Sequence, residues 1–193
     1  MEAIPLLFPT PNGHNNGSGF LVFAAGRHWL ATAAHLAHLL KQPHKNWQAW
    51  PQFVQVSGVE IPLFHQLSPR FAYLDAGATI ADLLMLPLPQ PLPGYTIFDT
   101  ALAVLPTGEQ VTAFGYVRLG STLSNQLTVE GTILGIKGEL VLSSAIPPEG
   151  FSGGPLVTSG GRLVGLNIGV EEGVGVSVGL GPIARAVACF QGP

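Results

Sequence analysis

The sequence predicts an all-β protein, its short antiparallel strands closed into barrels or stacked as a sandwich, with one short helix at the C-terminus. Three observations predict it. Short apolar runs recur along the chain and are separated by clusters of Gly, Pro, Asn and Asp, the pattern of strands joined by turns. Of 193 residues, 47% are apolar and only 10% charged, far below the usual quarter, so a sizeable core is available and disorder is excluded. Finally, Pro87-Leu88-Pro89-Gln90-Pro91-Leu92-Pro93 carries four prolines. Proline lacks the N–H a ladder needs, so this run reads as a connector between two strand-rich halves.

The elements follow in chain order. Residues 1–16 are rich in Pro and Asn and read as a lead-in loop, with His14 a solvated loop residue. Ser18–Phe23 and Arg27–Ala31 form a hairpin across Ala24-Ala25-Gly26. The second of these strands runs into Thr32-Ala33-Ala34-His35, and Leu36–Lys41 adds one or two helical turns. Gln42–Pro51 is irregular, and Phe53–Val59, Ile61–Gln66 and Phe71–Leu74 are strands. Asp82 stands at the head of the apolar strand Leu83–Leu86. The second half offers Val111–Val117, Gln126–Leu134, Leu140–Ser143, Pro155–Thr158, Leu163–Gly169 and Gly175–Val178. Pro182–Phe190 is a short terminal helix in which Cys189 is a packing residue.

Charge and cysteine usage narrow the function. Eight Lys and Arg stand against eleven Asp and Glu, for a net charge of −3. That leaves no basic footprint for nucleic acid. So little charge suggests that a partner, a fused domain or a second copy covers some surface. With one cysteine no internal disulfide can form, which suits a reducing compartment. Met1–Pro9 lacks the basic and long apolar regions of a secretion signal, and no run approaches the length of a membrane span. A cytoplasmic location is the expectation.

The chemistry centres on Glu149-Gly150-Phe151-Ser152-Gly153-Gly154-Pro155. Glycine before the serine permits a sharp bend that turns successive N–H groups into one concavity. The N–H groups of Gly150 and Ser152 are then placed to hold the oxygen of a tetrahedral intermediate. Gly153 and Gly154 leave the serine uncrowded. A glycine turn between two strands is the plain alternative, but the whole string is much rarer than a serine among glycines. A serine nucleophile needs a base, and the base an orienting group. His35, in a small-residue turn after an apolar strand, and Asp82, half-buried by its neighbours, supply both types. Asp75 and Asp99 are rivals for the acid, though each has a turn-forming reason to be where it is. His35 and His38 share a helical spacing, but no carboxylate or cysteine follows at ligand spacing, so no metal site is expected. No cofactor is implied.

Together, Thr32-Ala33-Ala34-His35, Asp82-Leu83-Leu84-Met85-Leu86 and Gly150-Phe151-Ser152-Gly153-Gly154-Pro155 resemble the chymotrypsin/trypsin-like serine peptidases. Ser18–Val22 resembles that family's first core strand, Val111–Tyr116 the opening of its second barrel, and Gly161–Asn167 its substrate-flanking strand. The resemblance runs from about residue 15 to 188. Without disulfides, the chain is closer to bacterial Deg/HtrA-type peptidase domains than to secreted trypsins.

The resemblance implies two six-stranded antiparallel β-barrels: residues 17–86 and 106–181, joined by 87–105 and followed by a helix and tail over 182–193. It also implies a serine endopeptidase acting on protein or peptide substrates, with His35, Asp82 and Ser152 as its triad and Gly150 and Ser152 as its oxyanion hole. By the same resemblance Ile146, six residues before the serine, lies at the base of the primary pocket. Gly169, Val170 and Gly175 form its walls. None is acidic, so an apolar residue is expected before the cleaved bond. Where trypsins carry an Asp before the serine, here stands Phe151, so activation by a newly cut N-terminus is not expected. Control would come from a partner, an oligomer or a flip of the Glu149–Gly150 peptide. The alternatives are a silent binding module on the same fold, a domain awaiting an activator, or an esterase-type hydrolase. The last expects Gly-x-Ser-x-Gly between a strand and a helix, which Ser152 does not follow.

Overall fold

The computed structural model describes residues 1–10, 13–37, 53–56, 59–62, 74–76, 79–101, 104–119 and 122–189. Strands β1 (Ile4–Thr10) and β2 (Gly13–Ala24) form the first hairpin, in register from Ile4 opposite Gly19 to Thr10 opposite Gly13. This corrects the lead-in loop expected over 1–16. Ile4, Leu6 and Phe8 alternate on one fully buried face, a period of two that Pro5 and Pro9 obscure. β1 meets β4 only at Leu6 and Leu7, so neither proline interrupts that ladder.

β2 turns into β3 (Arg27–Thr32) through Ala25 and Gly26, both at positive φ, 52° and 74°. That is the two-residue turn whose twist suits a hairpin, and Gly26 takes its second position without strain. After β3, Ala34–Ala37 form one 3₁₀ turn. β4 (Phe53–Val56), β5 (Val59–Pro62), β8 (Leu84–Leu88) and β9 (Ile97–Asp99) complete a seven-stranded sheet in the order β5-β4-β1-β2-β3-β8, with β9 parallel to β2. β6 (Leu74–Ala76) and β7 (Thr79–Ala81) pair with each other. Among the described residues this half is an open, half-barrel sheet. Pro87, expected outside any sheet, lies in β8 opposite Trp29 of β3; among the described residues β8 is an edge strand, where a missing N–H is tolerated.

The second half is a closed six-stranded barrel in the order β10-β13-β14-β17-β16-β15. Its strands are β10 (Gln110–Gly115), β13 (Leu127–Lys137), β14 (Leu140–Ser143), β15 (Pro155–Thr158), β16 (Leu163–Glu171) and β17 (Val174–Gly179). The small ribbon of β11 (Arg118–Leu119) and β12 (Thr122–Leu123) stands apart from it. Helix α1 (Leu180–Cys189) starts two residues earlier than the sequence suggests.

Two apolar cores result. One fills the closed barrel with Val111, Ala113, Ile133, Leu156, Val164 and the ring of Phe151. The other runs from Phe20, Trp29 and Met85 of the first half to Leu166 of β16 and Ile183 and Val187 of α1. The second core therefore joins the two halves, with the helix covering the seam. The expected strands Ile61–Gln66 and Phe71–Leu74 lie partly outside the described residues, as do His38, His44 and His65 and the side chain of Cys189.

Candidate active site

The serine loop is fixed by where its glycines must go. Gly150 has φ of +99°, and a Cβ there would come within 2.3 Å of the Tyr116 carbonyl oxygen. Gly153 has φ of +86°, and its Cβ would meet the Ser18 carbonyl oxygen at 2.1 Å. Only glycine satisfies both the angle and the space. Phe151, between Gly150 and Ser152, sends its ring into the barrel core and anchors the loop from below. The backbone closes the turn: Phe151 N–H donates to the Pro148 carbonyl at 3.2 Å, and Gly154 N–H to the Phe151 carbonyl at 2.9 Å. Gly153 N–H donates to the Asn167 carbonyl on β16 at 2.7 Å. The N–H groups of Gly150 and Ser152 donate to no acceptor among the described residues. Those are the two donors that the sequence singled out.

His35 sits in the 3₁₀ turn that ends β3, and Asp82 in the two-residue gap between β7 and β8. β3 and β8 are neighbours, Thr32 opposite Leu84, so their ends bring the pair together. Asp82 accepts twice from His35. Its Oδ1 takes the backbone N–H at 2.9 Å, and its Oδ2 lies 2.5 Å from Nδ1. The carboxylate is 12% exposed and the imidazole 35%. A proton on Nδ1, facing the carboxylate, leaves Nε2 with a lone pair. His35 and Ser152 line one cleft of about 580 Å³, together with Asn15, Leu36, Glu149 and Gly150. Ser152 Oγ and the His35 ring are not hydrogen-bonded to each other in this structure. Resting sites of this kind are often loose and tighten around substrate.

The rivals fare differently. Asp99 is exposed on β9 and its Oδ1 accepts the N–H of Ala101 at 3.0 Å, a local turn bond. Asp75 lies in β6, and its side chain is outside the described residues. The four pocket positions do not line the cleft of His35 and Ser152. They gather instead at one end of the barrel. Gly175 is paired with Val170 across β16 and β17, and a Cβ on Gly175 would lie 1.9 Å from the carbonyl of Ala145, the residue before Ile146. Ile146 is 51% and Val170 45% exposed. A bulge between Asn167 and Gly169 re-aims this end of β16.

Several cleft residues escaped the sequence reading. His14, expected in a loop, is a β2 residue on the cleft wall. Asn16 accepts from Arg118 Nη1 at 3.1 Å, and Asn15 donates to the Leu36 carbonyl at 2.8 Å. Val117 and Arg118 complete the wall; no local pattern singles them out. Behind them Tyr116 is buried, and burial, with Tyr95 and Glu2 nearby, pushes its hydroxyl up to about 12. Among the described residues, no three His, Cys, Asp or Glu side chains gather as metal ligands would, and no helix is long and apolar enough to cross a membrane.

Residues 17–166 match the family model described as a trypsin-like peptidase domain. No curated protein sequence matches. Among solved structures, the chain is similar to the active form of the Rv3671c protease from M. tuberculosis, with 18% identity and a TM-score of 0.65 over 97% of this chain and 79% of that one. It is also similar to the serine endoprotease from Yersinia pestis, with 18% identity and a TM-score of 0.63 over 98% of this chain and 61% of that one. At this identity the likeness speaks for the fold: a closed barrel beside a half-barrel, with the serine loop at the seam.

Proposed function

Because the chain belongs to the trypsin-like peptidase family and is a trypsin-like serine protease, we propose that it cleaves peptide bonds with Ser152 as nucleophile, His35 as general base and acid, and Asp82 holding His35. The observation that carries this reading is the double acceptance of His35 by Asp82 within the cleft that also holds Ser152.

The steps follow from the roles. Ser152 Oγ bonds to the carbonyl carbon while His35 Nε2 takes its proton. The carbonyl oxygen becomes an oxyanion and accepts from the N–H groups of Gly150 and Ser152, which have no other acceptor among the described residues. The carbon–nitrogen bond breaks as His35 passes the proton to the leaving amine. Water then attacks the acyl-serine, with His35 again as base, and the acid product leaves. Asp82 keeps the proton of the resting imidazole on Nδ1 and stabilises the imidazolium.

Ile146, Gly169, Val170 and Gly175, at the barrel end outside the cleft of His35 and Ser152, are proposed to receive the acyl side of the substrate; the exposed side chains of Ile146 and Val170, and the lack of an acidic residue among the four, support a preference for Leu, Val or Phe. Control by a partner, an oligomer or a flip of the Glu149–Gly150 peptide is proposed from Phe151 standing where trypsins carry an Asp, and the low charge of the chain supports a covered surface. A library of internally quenched peptides tests the nucleophile and the pocket. The wild type cleaves after apolar residues and Ser152→Ala does not turn over. Full turnover by Ser152→Ala would overturn the nucleophile assignment, and cleavage only after Lys or Arg would overturn the pocket.

A further inference from the structure

Ser18 is fully buried, and each of its hydrogen-bonding groups is engaged. Its N–H donates to the carbonyl oxygen of Ser152 at 2.8 Å. Its hydroxyl donates to the carbonyl of Gly150 at 2.9 Å and accepts the N–H of Tyr116 at 3.1 Å. Its own carbonyl accepts the Thr32 hydroxyl at 2.7 Å, which fixes it to β3, the strand that carries His35. Ser18 itself belongs to β2 in the first half, whereas Gly150, Ser152 and Tyr116 belong to the second.

The consequence is geometric. The carbonyl of Gly150 defines the peptide plane between 150 and 151, and the carbonyl of Ser152 the plane between 152 and 153. Ser18 holds both. The plane between them carries the N–H of Ser152, and Gly150, at φ of +99°, is the joint from which its own N–H is aimed. A glycine at such an angle resists rotation only if its neighbours are held. We propose that Ser18 is a positioning residue for the oxyanion donors, clamping the serine loop of one half to the histidine strand of the other. This rests on the triad and oxyanion roles proposed above. Ser18 touches neither substrate nor the reacting atoms. Without its hydroxyl, the carbonyl of Gly150 and the N–H of Tyr116 are buried with no partner. The loop then gains by rotating toward another one, and the donors lose their aim.

The test compares wild type, Ser18→Ala, Ser18→Cys and Ser152→Ala on one internally quenched peptide, at a temperature where circular dichroism finds each folded. Ser18→Ala is expected to lower kcat by about 10- to 100-fold with KM within about twofold, because the lost interaction acts in the transition state. The rate of inactivation by a fluorophosphonate falls by the same factor. Ser18→Cys, nearly the same shape with a weaker hydrogen bond, falls between wild type and Ser18→Ala. A merely structural serine moves the melting temperature and leaves kcat of the folded protein alone. Folded Ser18→Ala with kcat within about threefold of wild type overturns the proposal. If Ser18→Ala does not fold, Ser18→Cys decides by the same criterion. A wild type that neither turns over nor reacts with the fluorophosphonate defeats the triad reading itself, and Ser18's role with it.

Discussion

Asp82 holds His35 at two points, through the backbone N–H at 2.9 Å and through Nδ1 at 2.5 Å. The first bond fixes where the 3₁₀ turn sits, and the second fixes which ring nitrogen carries the proton. Asp82→Asn keeps the shape but cannot accept from both with equal strength, and it lets the ring turn or change tautomer. The expected loss is about 10⁴-fold in kcat with little change in melting temperature, by the logic of the Ser-His-Asp template. Steady-state kinetics on a fluorogenic peptide measures it. A loss below about tenfold would remove Asp82 from its role.

Gly153 lies at a close contact between the two halves. A Cβ there would meet the carbonyl oxygen of Ser18 at 2.1 Å and the Thr32 hydroxyl at 2.3 Å, at a φ of +86°. Neither neighbour is free to move, since the two are hydrogen-bonded to each other. Gly153→Ala is expected to destabilise the fold by more than about 2 kcal/mol, through backbone strain and overpacking together. Gly161→Ala is the control: φ is +79° there, and nothing lies within 4 Å of the added carbon. Urea unfolding of both variants separates the cost of the angle from that of the clash.

Phe151 anchors the serine loop by its ring. It is fully buried in the barrel core, and a Cβ on Gly115 would lie 2.5 Å from its ring. Phe151→Ala opens a cavity at an expected cost of about 3–5 kcal/mol. The loop above loses its footing, so kcat falls further than the stability loss alone explains. Phe151→Leu, which refills much of the space, recovers most of both. Melting temperature and kcat measured on the same samples check this.

Tyr116 makes stability sensitive to alkali. Its hydroxyl is pushed up from 10.0 to about 12 by burial and by Tyr95 and Glu2. The folded chain therefore binds this proton more tightly than the unfolded chain. The associated stability is complete below pH 10 and is lost as pH rises from 10 to about 12. Thermal melts between pH 9 and 12 are expected to show the wild type losing more melting temperature than Tyr116→Phe. Parallel losses would contradict it.

Much of the candidate site was legible because its residues sit in local strings. Thr32–His35, Asp82–Leu86 and Gly150–Pro155 each announce a strand end or a turn without reference to the rest of the chain. The fold class was legible for the same reason, from short apolar runs and turn residues. What escaped depends on distant pairing. Pro5 and Pro9 hid β1, whose alternation makes sense only once β2 and β4 lie beside it. Pro87 read as a sheet breaker because nothing local marks β8 as an edge. Ser18 read only as the first residue of a strand; its hydroxyl gains meaning from Gly150, 132 residues away. Arg118 reaches the cleft only because β11 is brought against Asn16 of β2.

The most direct measurement is the intact mass of the wild type and of Ser152→Ala after treatment with a fluorophosphonate. Such a reagent reacts with a serine only when base and oxyanion donors are assembled around it. One adduct on the wild type and none on Ser152→Ala is the predicted result. An adduct that persists on Ser152→Ala, or a folded wild type that stays unlabelled, would contradict Ser152 as the nucleophile of an assembled site.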